Sequence, residues 1–195
     1  AGGVRCRACI AFLLDAMERY EISATWATVG HLFLDSCKSE SGVPHPDMPR
    51  PRDDWYRHDP CTNLSQHPLY YGRDILESIL SNPIEHEIGY HSFSHPIFPE
   101  ITREVADAEI RKGKELAEEF GINLKSFVFP QNKIGYQDVL IKNGFTIYRG
   151  KPAGRYNIDQ RLIRRKINGA IGKIIAPPIV PRWENGIWMI PSSLY

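Results

Sequence analysis

The sequence predicts an α/β protein in which parallel strands alternate with crossover helices. Three observations carry this: a helix-then-strand order repeated five times, no tandem hairpins, and no internal repeat. An α/β barrel and an open doubly wound sheet both satisfy the alternation. The absence of any Gly-x-Gly-x-x-Gly after a strand counts against a dinucleotide-binding sheet.

The first element is an amphipathic helix, because Ile10, Leu13, Leu14 and Met17 recur at helical spacing before the pattern stops near Tyr20. Ile22 to Val29 follows, rich in β-branched and aromatic residues and closed by Gly30, and reads as a buried strand. From Ser39 to Pro68 the character changes, with Pro44, Pro46, Pro49, Pro51, Pro60 and Pro68 interrupting a polar stretch. Structureless loops beyond about 15 residues tend to be functional or disordered. This one carries Trp55, Tyr56, His45, His58 and His67 and reads as an ordered loop. A helix over about 69–80 and a strand over about 85–90 come next. A longer helix, about 102–120, is stopped by Gly121 where a left-handed C-cap is expected. Strand 126–129 ends at Pro130, helix 136–143 ends at Gly144, and strand 145–148 follows. A basic helix over about 158–174 precedes a last strand near 187–190.

The 195 residues suit one domain, 1–195, with the Pro-rich loop 39–68 inside it. Hydrophobic residues make up 42% and aromatics 11%, enough for a sizeable core. A formal charge of +1 excludes a strong whole-domain field for nucleic acid or an anionic membrane. The longest apolar runs, such as Cys9 to Leu14, fall far short of the ~20 residues that span a bilayer. No signal peptide stands at the N-terminus, and the chain reads as cytoplasmic. It opens on Ala1 and stops at Tyr195 directly after a strand-like segment, so both ends read as cut. Cys6, Cys9, Cys37 and Cys61 are too sparse for a disulfide scaffold and read as reduced, mostly packing residues. The alternative is a structural zinc site that joins the Cys6-x-x-Cys9 pair to Cys37 and Cys61.

The segment Glu87-Ile88-Gly89-Tyr90-His91-Ser92-Phe93-Ser94-His95-Pro96 carries the chemistry. In an extended chain its two imidazoles would lie ~13 Å apart and could not converge. In one helical turn they would be ~6 Å apart, close enough to share an ion with ~2.1 Å bonds. Pro96 disfavours the α region for His95, so the pair is expected in a single tight turn leaving the strand. The C-terminal end of a parallel strand is where α/β folds place their sites. Spacing alone leaves two readings open: histidines that hydrogen-bond within a loop, or a metal pair. Without the Glu of His-Glu-x-x-His there is no zincin-type base.

The segment resembles the His-Ser/Thr-x-x-His motif of the polysaccharide deacetylases, carbohydrate esterases related to the nodulation-factor deacetylase. As in that family, Glu-Ile-Gly precedes it and Pro follows. Ile22 to Gly30 (Ile-Ser-Ala-Thr-Trp-Ala-Thr-Val-Gly) is similar to the family's Ile-x-Ala-Thr-Phe-Phe-x-x-Gly strand. Ser126 to Asn132 lies where the family's Arg-x-Pro-Tyr-type motif follows the next strand. The likeness covers roughly 10–145 and implies a distorted (β/α) barrel with fewer than eight strands, incomplete here. It further implies a divalent metal, usually zinc, held by His91, His95 and an aspartate. The ion would polarise an N-acetyl carbonyl and activate water against an N-acetylated carbohydrate, with a carboxylate base and a histidine acid. A bacterial envelope glycan or exopolysaccharide is the implied substrate setting.

The departures are equally specific. The family's metal aspartate and base lie in a Thr-Phe-Asp-Asp-Gly-like motif on a first strand that would precede the first helix here. Asp53-Asp54 is the one adjacent aspartate pair, and it sits in the Pro-rich loop. No histidine follows His95 to match the family's Leu-x-His acid, so the catalytic residues are unassigned. Val128 and Phe129 stand where an arginine is usual, leaving Gln131 and Asn132 as candidate oxyanion or substrate contacts. A catalytically incomplete domain of the same fold that binds sugar or protein is the rival reading, and a zinc module built on Cys6 and Cys9 is a third. The run Arg161, Arg164, Arg165, Lys166 and Lys173 reads as the solvated face of a helix. Trp55 and Tyr56 read either as a sugar-stacking pair or as anchors that pin the loop. His45, His58 and His67 have no ligand-like spacing and receive no role.

Overall fold

Five parallel strands and one antiparallel partner form the main sheet of the protein, known here from a computed structural model that describes residues 2–51, 55–151 and 180–192. In chain order the elements are α1 (Gly2–Arg19), β1 (Thr25–Thr28), β2 (Ser39–Glu40), β3 (Val43–Pro44), α2 (Arg73–Leu80) and β4 (Glu87–Tyr90). They continue with α3 (Arg103–Glu118), β5 (Ser126–Val128), α4 (Gln137–Lys142), β6 (Ile147–Gly150), β7 (Arg182–Glu184) and β8 (Ile187–Pro191). The sheet order is β1-β4-β5-β6-β8-β7, and β2-β3 form a separate small hairpin. This mostly parallel sheet with four helices is a partial (β/α) barrel, as the resemblance implied. The predicted basic helix near 158–174 and the Asp53-Asp54 pair fall outside the described residues. No helix among the described residues is long and apolar enough to cross a membrane.

Several elements differ from the sequence expectation for local physical reasons. Strand β1 is half-exposed rather than buried, because it is an edge of the sheet among the described residues. Helix α2 starts four residues later than its periodicity predicts, because Tyr71 is drawn into the loop, where its hydroxyl accepts from the Thr62 N–H. Strand β6 starts at Ile147 rather than Phe145, because the Phe145 N–H closes the end of α4 on the Leu140 carbonyl while Gly144 turns with φ +82°. The absence of hairpins is overturned as well. Asn185 and Gly186, both at positive φ, make the tight turn between antiparallel β7 and β8. Ser41 and Gly42 do the same between β2 and β3. Cys6 and Cys9 are exposed on α1 rather than packed.

The core lies between the sheet and α3, where Tyr90, Phe98, Phe127, Phe129, Phe145 and Tyr148 are fully buried, with rings packed mostly edge to face. Thr102 caps α3 by accepting from the Val105 N–H, and Gly121 (φ +67°) follows its end, as predicted. Gly113 allows α3 to approach β4 closely: a Cβ there would fall 1.9 Å from Cζ of Tyr90. The Tyr90 hydroxyl donates to the Glu109 carbonyl (2.7 Å), so the last residue of β4 is held from behind by the helix.

Candidate active site

The strand ends place the chemistry. Parallel pairing aligns Thr28 with Tyr90, Tyr90 with Phe127, and Val128 with Arg149, so His91, Val128 and Arg149 meet at one edge of the sheet. His91 continues the β1–β4 ladder by donating its N–H to the Thr28 carbonyl (2.9 Å). The chain then bends sharply, with Ser92 at φ +62° and His95 at φ +64°, in the left-handed region that side chains disfavour. Pro96 keeps His95 out of the right-handed helical region, and the observed conformation obeys that restriction. The outcome is the expected tight turn: the His91 and His95 rings lie 4.7 Å apart between centroids, inclined at 73°.

His91 is oriented by a second contact. Its Nδ1 lies 2.6 Å from the Val128 carbonyl, which fixes the proton on Nδ1 and leaves Nε2 as the lone-pair nitrogen. Burial lowers the pKa of His91 and outweighs the opposing carbonyl bond, with the charges of His95 and Arg149 adding to the lowering. A neutral imidazole with a fixed tautomer fits the donor requirement of a divalent ion. Among the described residues no third His, Cys, Asp or Glu joins this pair in a converging group.

The left-handed turn is held by one buried carboxylate. Glu109 of α3, fully buried, accepts at Oε2 from the N–H groups of Phe93 and Ser94 (both 2.8 Å). At Oε1 it accepts from the hydroxyls of Ser94 (2.6 Å) and Tyr56 (3.1 Å). Burial pushes the Glu109 carboxyl up, against the pull of those four donors. The Ser92 hydroxyl also accepts from the His95 N–H (3.1 Å).

Gln131 and Asn132 lie beside β5 in a short 3-10 turn, Pro130–Asn132, both exposed and both at positive φ. The Asn132 N–H is engaged with the Phe129 carbonyl (2.9 Å), and its Oδ1 accepts from Arg149 (2.9 Å). Arg149, from the end of β6, supplies a guanidinium on the edge where Val128 and Phe129 offer none, and its buried Nε has no hydrogen-bond partner. Tyr56 is fully buried and pins the loop to Glu109, so it is an anchor. His58 and His67 are exposed and bond locally to Arg57 and Thr62.

Sequence reasoning missed one converging group. Ligand atoms of His31, Cys37, His45 and Asp59 all lie within 4.8 Å of one another, the one such group of three or more among the described residues. Asp59 Oδ2 faces Nε2 of His31 (2.9 Å) and Nε2 of His45 (2.8 Å), and Sγ of Cys37 lies 3.2 Å from it. Burial raises the Asp59 carboxyl, but contacts with His31, His45, the Cys61 N–H and Cys37 outweigh it and hold the group well below the usual carboxylate range. Burial pushes the Cys37 thiol up to about 12. His45 thus has a structural place that its spacing hid, whereas Cys6 and Cys9 belong to no such group among the described residues.

A family model described as polysaccharide deacetylase matches residues 7–143. No curated protein and no solved structure matches the chain.

Proposed function

Because the chain belongs to the polysaccharide deacetylase family, we propose that it is a metal-dependent hydrolase that removes N-acetyl groups from a carbohydrate, with His91 and His95 as metal ligands and zinc as the ion. The observation that carries this reading is the pairing of the two rings at the C-terminal edge of β4, with His91 locked by Val128 so that Nε2 is the free donor. A divalent ion bound there supplies Lewis-acid polarisation of the amide carbonyl and a water of lowered pKa.

The chain's own groups supply position and charge. Glu109 holds the turn that carries both histidines, and the Val128 carbonyl sets the tautomer of His91. Arg149 brings a guanidinium to the same edge as a candidate substrate contact, and it steadies Asn132 through Oδ1. Gln131 and Asn132 line the same edge as substrate contacts, with Gln131 the candidate backbone donor because the Asn132 N–H is already engaged. The third, carboxylate ligand and the base are not assigned among the described residues.

Acetate release from N-acetylglucosamine oligomers tests the reading, measured with zinc, after chelation, and in His91→Ala. Chelation and His91→Ala should each lower release by about a thousandfold, the several kcal/mol that such an ion contributes. Undiminished release in His91→Ala would remove the site assignment. Oligomer binding without acetate release from the zinc-loaded protein would favour a sugar-binding domain of the same fold.

A further inference from the structure

We propose that His31, Cys37, His45 and Asp59 form a second, closed zinc site that is structural and fastens the Pro-rich loop to the end of β1. The four residues come from the 3-10 turn after β1 (His31), from the segment just before the Pro-rich loop (Cys37) and from two separate points of the loop (His45 and Asp59), yet their ligand atoms converge within 4.8 Å. Two imidazoles, a thiolate and a carboxylate in tetrahedral reach form a donor set that zinc favours. At Zn–N and Zn–O bonds of about 2.1 Å, tetrahedral donors stand about 3.4 Å apart. The closest pairs, at 2.8 and 2.9 Å, open by about 0.5 to 0.6 Å to meet that.

The hydrogen-bond pattern turns the ligand atoms of both histidines toward one carboxylate oxygen. His31 Nδ1 lies 2.8 Å from the Tyr70 carbonyl, which can only accept, so the proton is on Nδ1. The ring then directs Nε2 at the Asp59 carboxylate, with both side chains almost completely buried. With an ion bound at Nε2, the Tyr70 carbonyl would take the outer-shell role that carbonyls play behind metal-bound histidines. Asp59 is supported in the same way: its other oxygen, Oδ1, accepts from the Cys61 N–H (2.9 Å) and the Tyr71 hydroxyl (3.3 Å). Charge closes as well. Binding releases the Cys37 thiol proton to solvent, and a dication with one thiolate, one carboxylate and two neutral imidazoles is uncharged, as a buried site requires. An open cleft of about 500 Å³, bounded by Ser39, Pro44, Arg50, Arg57 and Cys61, lies against Asp59 on the outer side of the cluster.

The site stands or falls apart from the deacetylase reading. Its test is metal content and cobalt substitution in the intact chain carrying His91→Ala and His95→Ala, which lacks the other histidine pair. The expected result is one tightly held equivalent of zinc. Replacement by cobalt should give the intense visible bands of a tetrahedral ion and a near-ultraviolet thiolate-to-cobalt charge-transfer band. Adding Cys37→Ser should abolish that charge-transfer band, and adding Cys61→Ser should leave it in place. Absence of bound zinc from the folded double variant would overturn the proposal, as would a cobalt spectrum without the thiolate band. The spectrum of the double variant carries the test even if the Cys37→Ser chain does not fold.

Discussion

Two histidine clusters sit just beyond neighbouring parallel strands, one after β1 and one after β4, and they are built in opposite ways. The pair after β4 is contiguous in sequence, open on one side, and held in a turn with two non-glycine residues at positive φ. The quartet after β1 is dispersed over residues 31–59, and its Asp59 and His31 side chains are sealed from solvent. An open site on a strained turn leaves room for a substrate and for exchangeable ligands, whereas four protein donors facing inward leave none. The two are physically joined. Gly30 and His31 donate their N–H groups to the carbonyls of Ser92 and Phe93 (2.7 and 3.0 Å), and the Phe93 ring packs on His31 and His45. The closed cluster is therefore the wall against which the open turn is shaped.

The largest effect on that arrangement should come from Glu109, which supports the open turn from the helix side. Glu109→Leu removes the acceptor for two buried backbone N–H groups, at about 1–3 kcal/mol each, so a loss of about 4 kcal/mol in urea unfolding is expected. Glu109→Gln should behave differently. Its carboxamide oxygen can take the Oε2 position and keep both N–H bonds, while its NH₂ meets the Ser94 and Tyr56 hydroxyls, which can turn to accept. The pH dependence separates the two effects. The folded-state carboxyl is raised above its unfolded value, so its favourable contribution is present below about pH 4.3 and is lost as pH rises through the folded pKa. Glu109→Gln should therefore gain on the wild type as pH increases from 4 to 8. A difference that does not change with pH would show that Glu109 is not the group under stress.

Gly113→Ala presses on the same turn through β4 and should have an intermediate effect. The added methyl collides with a Tyr90 ring that is fully buried and tethered by its hydroxyl, so helix and strand must separate. An approach this close puts the overpacking cost near the upper end, about 3 kcal/mol, offset by about 1 kcal/mol from the higher helix propensity of alanine, for a net loss of about 2 kcal/mol. Because Tyr90 precedes His91, metal affinity at the open pair should fall along with the melting temperature. Unchanged affinity in a destabilised variant would uncouple the turn from its helix support.

What the sequence disclosed follows from how each feature is encoded. His91 and His95 were legible because strand, turn and both imidazoles lie within one short run, and Pro96 restricts the backbone locally. The parallel alternation was legible for the same reason, since periodicity and Gly caps are local signals. The quartet was not, because Cys37, His45 and Asp59 share no helical or strand period and meet only when the loop folds over β1. Glu109 left a trace that could have been read. It falls four residues after Val105 and four before Gly113, a charge on the apolar stripe of α3, which signals a buried acceptor with partners elsewhere. The Asn185-Gly186 hairpin was written plainly and was overridden by the alternation around it.

Tyr56→Phe should give the smallest effect and the sharpest view of how the two clusters communicate. The ring of Tyr56 packs against His45 of the closed cluster (5.3 Å) and Phe93 of the open turn (6.1 Å), while its hydroxyl donates to Glu109. Phenylalanine keeps both ring contacts and removes the hydroxyl that donates to Glu109. Oε1 of Glu109 still accepts from the Ser94 hydroxyl, so no buried charge is left without a donor. A loss of about 1 to 2 kcal/mol follows, at the level of a single hydrogen bond to a charged acceptor. If the clusters are coupled through packing, cobalt spectra of the closed site and metal affinity of the open pair should both remain as in the wild type. If they are coupled through the Tyr56–Glu109 bond, affinity at the open pair should fall while the closed site keeps its spectrum. Tyr56→Ala then removes the ring as well, and under the packing account both sites should weaken together.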